Sequence, residues 1–398
     1  MPRMVLTGNH AVSYAVKLAR VQVIAIYPIT PQTAIVEKLD EMIESGEFDA
    51  DIIHVESEHS ALAAAYGAAV GGARVFTATS SHGLLYMYEV LWWVAASRMP
   101  MVMVVVTRAI GPPWNIHTDH HDIMSMRDSG WLLAMAENNQ EALDLTLLAY
   151  RVSEDPRVYL PVAVGLDGFI LSHTAEPVDV PEQSIVDRFL PERRQPYTIE
   201  PGTDVSMGNI FSDEYFEELR MDMQKSMLEA LNVIREAGRE YGRLTGRSYE
   251  KLVDCYKCED ADYLFIGIGS WMGDAKIAAE KLREEGLKFG VARLRWIRPF
   301  PVDELLEAAS GKKLLVVMDR SISMGHTGPL YADVSGATGS RVPVYGVVAG
   351  IGGVDVSYKD FVSIGKWAVE RLEEEGVTHL PLTWYHNGVF NYMYPVKL

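Results

Sequence analysis

The sequence predicts an α/β protein built on two parallel sheets, and three observations carry that reading. Apolar runs rich in Val and Ile recur along the first half of the chain and again along the last third. Helical patterns separate them, and strands that are apolar throughout with helices between belong to parallel sheets covered on both faces. The length of 398 residues allows two or three domains at about 150 residues each. Hydrophobic residues make up 48% and charged residues 23%, a balance that excludes disorder over long stretches.

In chain order, residues 21–30 (VQVIAIYPIT) read as a buried strand stopped at Pro28. Residues 31–46 read as a helix with Thr30 as N-cap and Pro31 in its first position. DIIHV (51–55) is a second strand, and 57–72 an Ala/Gly-rich helix that must pack closely on something. ARVFTATS, MVMVVVTR and VYLPVAVGL are further strands, each bounded by Gly, Pro or Ser. The texture changes from Glu182 to Asn209, where prolines and mixed charge predict an irregular arm. Residues 213–242 read as a long helix whose Met, Leu and Ile spacing fits core packing. DYLFIGIG, FGVARLRW, KLLVVMD and PVYGVVAG then form the strands of a second, smaller α/β domain. The expected division is therefore 1–181, a linking segment 182–258, and 259–398.

The 36 Lys and Arg against 54 Asp and Glu leave a net charge of −18. Such a chain repels phosphate backbones and anionic bilayers, so neither nucleic acid nor membrane is an expected partner. No apolar run reaches the roughly 20 residues of a membrane span, and residues 1–20 lack a signal core. A cytoplasmic location is expected. The two cysteines form one pair, Cys255 and Cys258, in the polar stretch VDCYKCEDAD, read as a loop before a strand. One CxxC cannot supply four thiolates to an iron–sulfur cluster or an all-cysteine zinc site. Electrons passing through any reaction here would travel on another chain.

Ligands of open parallel sheets sit beyond the carboxyl ends of the strands. Thr30 follows the first strand, Glu58 the second, Thr77–Gly83 the third and Arg108 the fourth. A hydroxyl, a carboxylate, a hydroxyl-rich turn and a guanidinium on one rim suit a small anion beside a larger ligand. Each has a plainer use: Thr30 and the 77–83 turn as caps, Glu58 opposite a helix dipole, Arg108 in a surface pair. His117, Asp119, His120, His121 and Asp122 crowd one stretch. Adjacent His120 and His121 cannot easily face one ion, so no metal site is expected and a polar, substrate-facing loop is. Gly267, Gly269 and Gly273 make a GxGxxxG turn, but the next strand ends in basic residues where a nicotinamide site places an acid.

YPITPQT, VESEHSA, FTATSSHG, TRAIGPPWN, RDSGW, NNQEALD, GFILSHT and RWIRPFP occur in this order. In them the chain resembles the alpha subunit of the 2-oxoacid:ferredoxin oxidoreductases, and most the pyruvate branch. The resemblance implies a pyrimidine-side thiamin diphosphate (ThDP) domain followed by a transketolase C-terminal-like domain. It implies a beta subunit supplying the diphosphate half, Mg2+ and a [4Fe-4S] cluster, with gamma and delta subunits completing the complex. Ferredoxin would be the electron acceptor and coenzyme A (CoA) a co-substrate. Glu58 then matches the glutamate that hydrogen-bonds the aminopyrimidine ring and favours its imino tautomer. Ile29, Ser81 and His82 fall beside the cofactor by the same matching. Thr30 and Arg108 match the substrate-holding residues, with His117 and His120 near them; an Arg fork suits a carboxylate because it donates two parallel bonds. Pyruvate is the expected 2-oxoacid, oxidatively decarboxylated to an acyl-CoA. The His-rich stretch departs from the family pattern, so a branched-chain or aryl 2-oxoacid such as phenylglyoxylate is the alternative, and a non-catalytic assembly role another. The arm and the long helix are expected to meet a neighbouring subunit.

Overall fold

The computed structural model describes residues 2–392. Strand β1 (Arg3–Thr7) and helix α1 (Gly8–Leu18) precede the first expected strand, β2 (Val23–Ile26). Then come α2 (Thr33–Glu44), β3 (Asp51–His54), α3 (Glu58–Val70), β4 (Val75–Thr79), α4 (Ser81–Tyr86), α5 (Tyr88–Ala96) and β5 (Val102–Thr107). A loop leads to α6 (His121–Ser125), β6 (Leu132–Met135), α7 (Asn139–Ser153), β7 (Val162–Asp167) and β8 (Ala175–Asp179). The six strands β6, β7, β5, β4, β2 and β3 lie side by side in that order and run parallel. β1 and β8 form a separate antiparallel ribbon.

Helix α2 corrects one expectation. It starts at Thr33, not Pro31, and Thr30 does not cap it. The buried Gln32 side chain donates to Tyr27 O at 3.0 Å and Ala78 O at 3.1 Å, while its backbone N–H reaches Ile29 O at 2.8 Å. These bonds hold 29–32 as a turn against the sheet end, and the helix begins only after it.

The stretch 182–209 is not wholly irregular: it opens with helix α8 (Gln183–Phe189). The remainder lies back on α3, with Arg193 and Gln195 donating to Ala69 O at 3.2 Å each. Helix α9 (Asp213–Thr245) buries Ala230, Val233, Ile234, Ala237 and Tyr241 against α7. Buried Asp144 on α7 accepts from Tyr249 Oη at 2.7 Å, Arg247 Nε at 2.7 Å and Tyr241 Oη, which fixes α9 in place.

The second sheet begins inside the expected linking segment, at β9 (Val253–Tyr256), so Cys255 lies in a strand and not in a loop. It continues through β10 (Tyr263–Gly267), α10 (Met272–Glu284) and β11 (Phe289–Leu294). The next strand, β12 (Trp296–Arg298), leaves this sheet and pairs antiparallel with β6 of the first. The chain then returns through α11 (Val302–Ala309), β13 (Leu314–Asp319), α12 (Pro329–Thr338), β14 (Val344–Val348), α13 (Tyr358–Glu373), β15 (His379–His386) and β16 (Val389–Tyr392). The sheet order is β16, β15, β14, β13, β10, β11, β9, with both edge strands antiparallel.

Thus FGVARLRW is two strands in two sheets, and charges hold the crossing. Arg293, fully buried, donates to Glu141 at 2.7 and 2.9 Å and to Asp254 at 3.2 Å. Arg295 adds a bond to Glu141 at 3.0 Å. Burial alone would push the Glu141 carboxyl up; the two guanidinium groups outweigh it and hold it below its ordinary range. Breaking a buried pair leaves an uncompensated charge, which costs about 3–5 kcal/mol. Arg293→Met is expected to lower unfolding stability by about that amount, read from the denaturant midpoint, whereas Arg3→Met in the exposed pair with Asp179 should leave it nearly unchanged.

Candidate active site

The carboxyl ends of β5, β4, β2 and β3 adjoin along one edge of the first sheet. Arg108 follows β5, Ser80–Gly83 follow β4, Thr30 follows β2 and Glu58 follows β3, so topology alone gathers four segments far apart in sequence. Contacts show how closely. Arg108 Nη1 donates to the Thr30 carbonyl at 2.9 Å. At Gly83 a Cβ would fall 2.7 Å from Glu58 Oε1 and 2.5 Å from Thr79 Oγ1, so only glycine lets α4 approach the acid.

Glu58 opens α3, whose N-cap Ser57 accepts the Ser60 N–H at 3.2 Å. The macrodipole at this end favours a negative charge. The side chain is only 8% exposed, yet among the described residues none hydrogen-bonds to or pairs with its carboxylate. The Thr79 hydroxyl, on the same Gly83 approach, is buried and also lacks a partner, as do the hydroxyls of Thr77 and Ser80 at that strand end. Buried hydroxyls without partners are costly unless a polar ligand completes them. Thr30, by contrast, is exposed and presents its hydroxyl freely.

Arg108 is aimed by what surrounds it. Its Nε donates to Asn115 O at 3.3 Å, and its backbone N–H to Asp122 Oδ2 at 2.9 Å. Burial pulls its pKa down, with Asp122 opposing, but the guanidinium stays charged. Asp122 also accepts the Ser81 N–H at 2.9 Å, and burial raises its carboxyl to about 7. Asn115 in turn donates to Gly352 O of the second domain at 2.7 Å. Gln32 and Asn115 sit inside the motifs YPITPQT and TRAIGPPWN, Gly83 in the 77–83 turn and Asp122 in the His-rich stretch, but the sequence assigned none of them a role.

The other expected residues divide. His82 Nε2 accepts the Gly111 N–H at 2.9 Å, which places its proton on Nδ1, and its ring lies 4.7 Å from that of Trp114. Ile29 is half-buried on the turn before α2. The Ser81 hydroxyl donates to Ala109 O at 2.6 Å, so its proton holds a loop. His117 is exposed, with its ring 5.5 Å from that of Phe169. His120 does not face the rim. It is 1% exposed, and its Nε2 lies 2.8 Å from Asp167 Oδ1. The physical reason is Asp167, a buried carboxylate at the end of β7 that draws the imidazole inward. His121 lies elsewhere again, accepting the Ile322 N–H at 3.1 Å.

Asp167 also explains the glycine turn. Ser270 of GIGSWMG donates its N–H and hydroxyl to Asp167 Oδ2 at 2.7 and 2.6 Å. Gly269 takes φ +81, and a Cβ there would lie 2.8 Å from the same oxygen. The turn holds a carboxylate of the first domain, not a dinucleotide. Burial works against that charge, but His120, Arg320 and Ser270 outweigh it and keep Asp167 ionised well below the carboxylate range.

Residues 14–239 match the family described as pyruvate flavodoxin/ferredoxin oxidoreductase, thiamine diphosphate-binding. Residues 261–361 match pyruvate:ferredoxin oxidoreductase core domain II. The chain belongs to the 2-oxoacid:ferredoxin oxidoreductase family. Ketoisovalerate oxidoreductase subunit VorA of Pyrococcus horikoshii is 45% identical over 388 residues, 96% of this chain and 98% of that protein. Pyruvate synthase subunit PorA of Pyrococcus furiosus is 43% identical over 386 residues, 96% and 97% of the two chains. A solved 2-oxoglutarate:ferredoxin oxidoreductase from Magnetococcus marinus superposes with a TM-score of 0.71 at 18% identity, over 92% of this chain and 65% of that one. A split-gene transketolase superposes at 0.53 and 13% identity, over 92% and 98%. These two establish the fold, an α/β architecture of the thiamin-enzyme type. Among the described residues no helix is long and apolar enough to cross a membrane.

The Gly83 approach is testable. Gly83→Ala is expected to displace the Glu58 carboxylate and to cut activity of the assembled enzyme at least tenfold, roughly the cost of a 1 Å misplacement or less. Circular dichroism of the variant should be unchanged, because alanine is a better helix former than glycine.

Proposed function

We propose that this chain is the alpha subunit of a complex that oxidatively decarboxylates a 2-oxoacid, with pyruvate as the first choice, giving an acyl-CoA, CO2 and reduced ferredoxin. The observation that supports it most is Glu58, 8% exposed at the strand-end rim without a protein partner and sharing the Gly83 approach with the unpartnered Thr79 hydroxyl. These groups fit the polar edge of an aminopyrimidine, so Glu58, the Ile29 turn, Thr79, Ser80 and His82 would hold that half of ThDP. Bound ThDP supplies a carbon nucleophile for the keto carbon and takes up the charge left when CO2 departs.

The chain's own residues do the rest. Glu58 holds a proton at the ring nitrogen. Arg108 Nη2 has no partner among the described residues, and we assign it the substrate carboxylate. Thr30, tied to Arg108 through its carbonyl, offers its hydroxyl to the neighbouring substrate oxygen. His117 borders this space, and His120 falls outside the assignment. With two cysteines in the chain, the [4Fe-4S] clusters, and with them the Mg2+–diphosphate half, are assigned to beta and delta subunits, and a gamma subunit completes a cytoplasmic complex. Exposed Ile210, Phe211, Tyr215 and Phe216 at the start of α9 support contact of the arm with a neighbouring subunit.

A second reading of the substrate has its own support: the VorA relative is as similar as the PorA relative, which favours a branched-chain 2-oxoacid equally. A panel of pyruvate, 2-oxoisovalerate and phenylglyoxylate on the assembled complex, with ferredoxin reduction as readout, separates them by kcat/KM.

Two variants of the complex test the site. Glu58→Gln is expected to lower kcat by about 10²–10⁴ with subunit composition unchanged; undiminished turnover would remove Glu58 from the chemistry. Arg108→Ala should raise KM for the 2-oxoacid by about 10–100-fold, the value of a charged hydrogen bond, and leave that for CoA unaltered. If both KM values move together, Arg108 acts on the fold and not on the substrate.

A further inference from the structure

Cys255 and Cys258 are absent from the site above, and their surroundings are built with some care. Cys255 lies on edge strand β9 and is exposed, whereas Cys258 is buried. Lys257 between them takes φ +52, a backbone conformation rare for a residue with a side chain. It turns the chain back at the end of β9 and seats Cys258 against β11. The turn presses on β11: Lys257 O would lie 2.6 Å from a Cβ at Gly290, a contact only glycine permits. Cys258 Sγ is 3.3 Å from Val291 O, and its carbonyl accepts from Lys312 Nζ.

We propose that Cys255 and Cys258 form a thiol–disulfide exchange site, with Cys255 as the attacking thiol, Cys258 as the resolving thiol and a disulfide as the co-reactant. The division of labour follows from position. An attacking thiol must be reachable and must favour its thiolate. Cys255 is reachable, and the Cys258 thiol beside it draws its pKa below the ordinary value. The same contact pushes Cys258 up, as suits a group that reacts second. Cys255 thiolate attacks one sulfur of a disulfide RSSR; that S–S bond breaks and one RS⁻ leaves. Cys258 then attacks the Cys255 sulfur, the mixed disulfide breaks and the second RS⁻ leaves. The two cysteines lose two electrons, the disulfide gains two, and the two thiol protons end on the two RSH formed. The neighbouring Asp254 bonds Lys276 and Arg293, both at 3.2 Å, so the couple sits one residue from the ions that join the two sheets.

The test uses the full complex and glutathione disulfide as the probe. After incubation and acid quench, alkylation counts free thiols on this chain by intact mass; with two cysteines in the sequence, the count reads this pair alone. The wild type is expected to lose both thiols together, retain no glutathione, and recover both with dithiothreitol. Cys258→Ser should retain one glutathione per chain. Cys255→Ser should react at least about tenfold more slowly. Two thiols still free in excess disulfide would overturn the proposal. So would equal reactivity of the two serine variants, or a tightly held zinc ion that protects both sulfurs.

Discussion

Asp167 ends β7 with its carboxylate in the space between the two sheets. It accepts from His120 at 2.8 Å and Thr118 at 3.2 Å on the first-domain side, and from Ser270 twice on the other. Arg320 lies 4.0 Å away. An ionised group in such a place demands donors from every direction, and both domains supply them. The loop after Arg108 is caught in this demand, because Thr118 and His120 belong to it. The direction of the Arg108 guanidinium is thereby tied to the docking of a second domain.

The other charges at the seam follow the same logic. Glu141 with Arg293 and Arg295, and Asp144 with Arg247, are buried sets in which carboxylates and guanidinium groups complete one another. Buried ion pairs contribute little net stability over apolar packing, but they penalise every arrangement that separates them. Apolar area holds each domain together; these sets select how the domains sit. Glu58 is the exception, a buried acid left without a partner, and a site that departs from the rule in this way is where a ligand belongs.

Much of this was legible in the residues. The strands of both sheets are runs of Val, Ile and Phe, and parallel topology then requires that Thr30, Glu58 and Arg108 share a rim. Other features were hidden because they depend on contacts distant in sequence. Gln32 looked like an ordinary helical residue, yet its bond to Ala78 O moves the helix start. The strand β12 looked continuous with β11, yet pairs with β6. His120 looked like a substrate-facing imidazole, and Asp167 draws it inward.

By itself the sequence determined the fold class, the buried strands at the centre of both sheets, and which acid, hydroxyl and guanidinium lie at strand ends, because hydrophobic period and turn residues act over a few neighbours. Tertiary structure alone decided which of those groups keep a free face. Whether Glu58 has a partner, whether Ser81 gives up its proton, and where Arg108 points depend on backbone carbonyls and carboxylates brought in by other segments. Hydrogen bonds are short-ranged and directional, so they are settled only when those segments have packed.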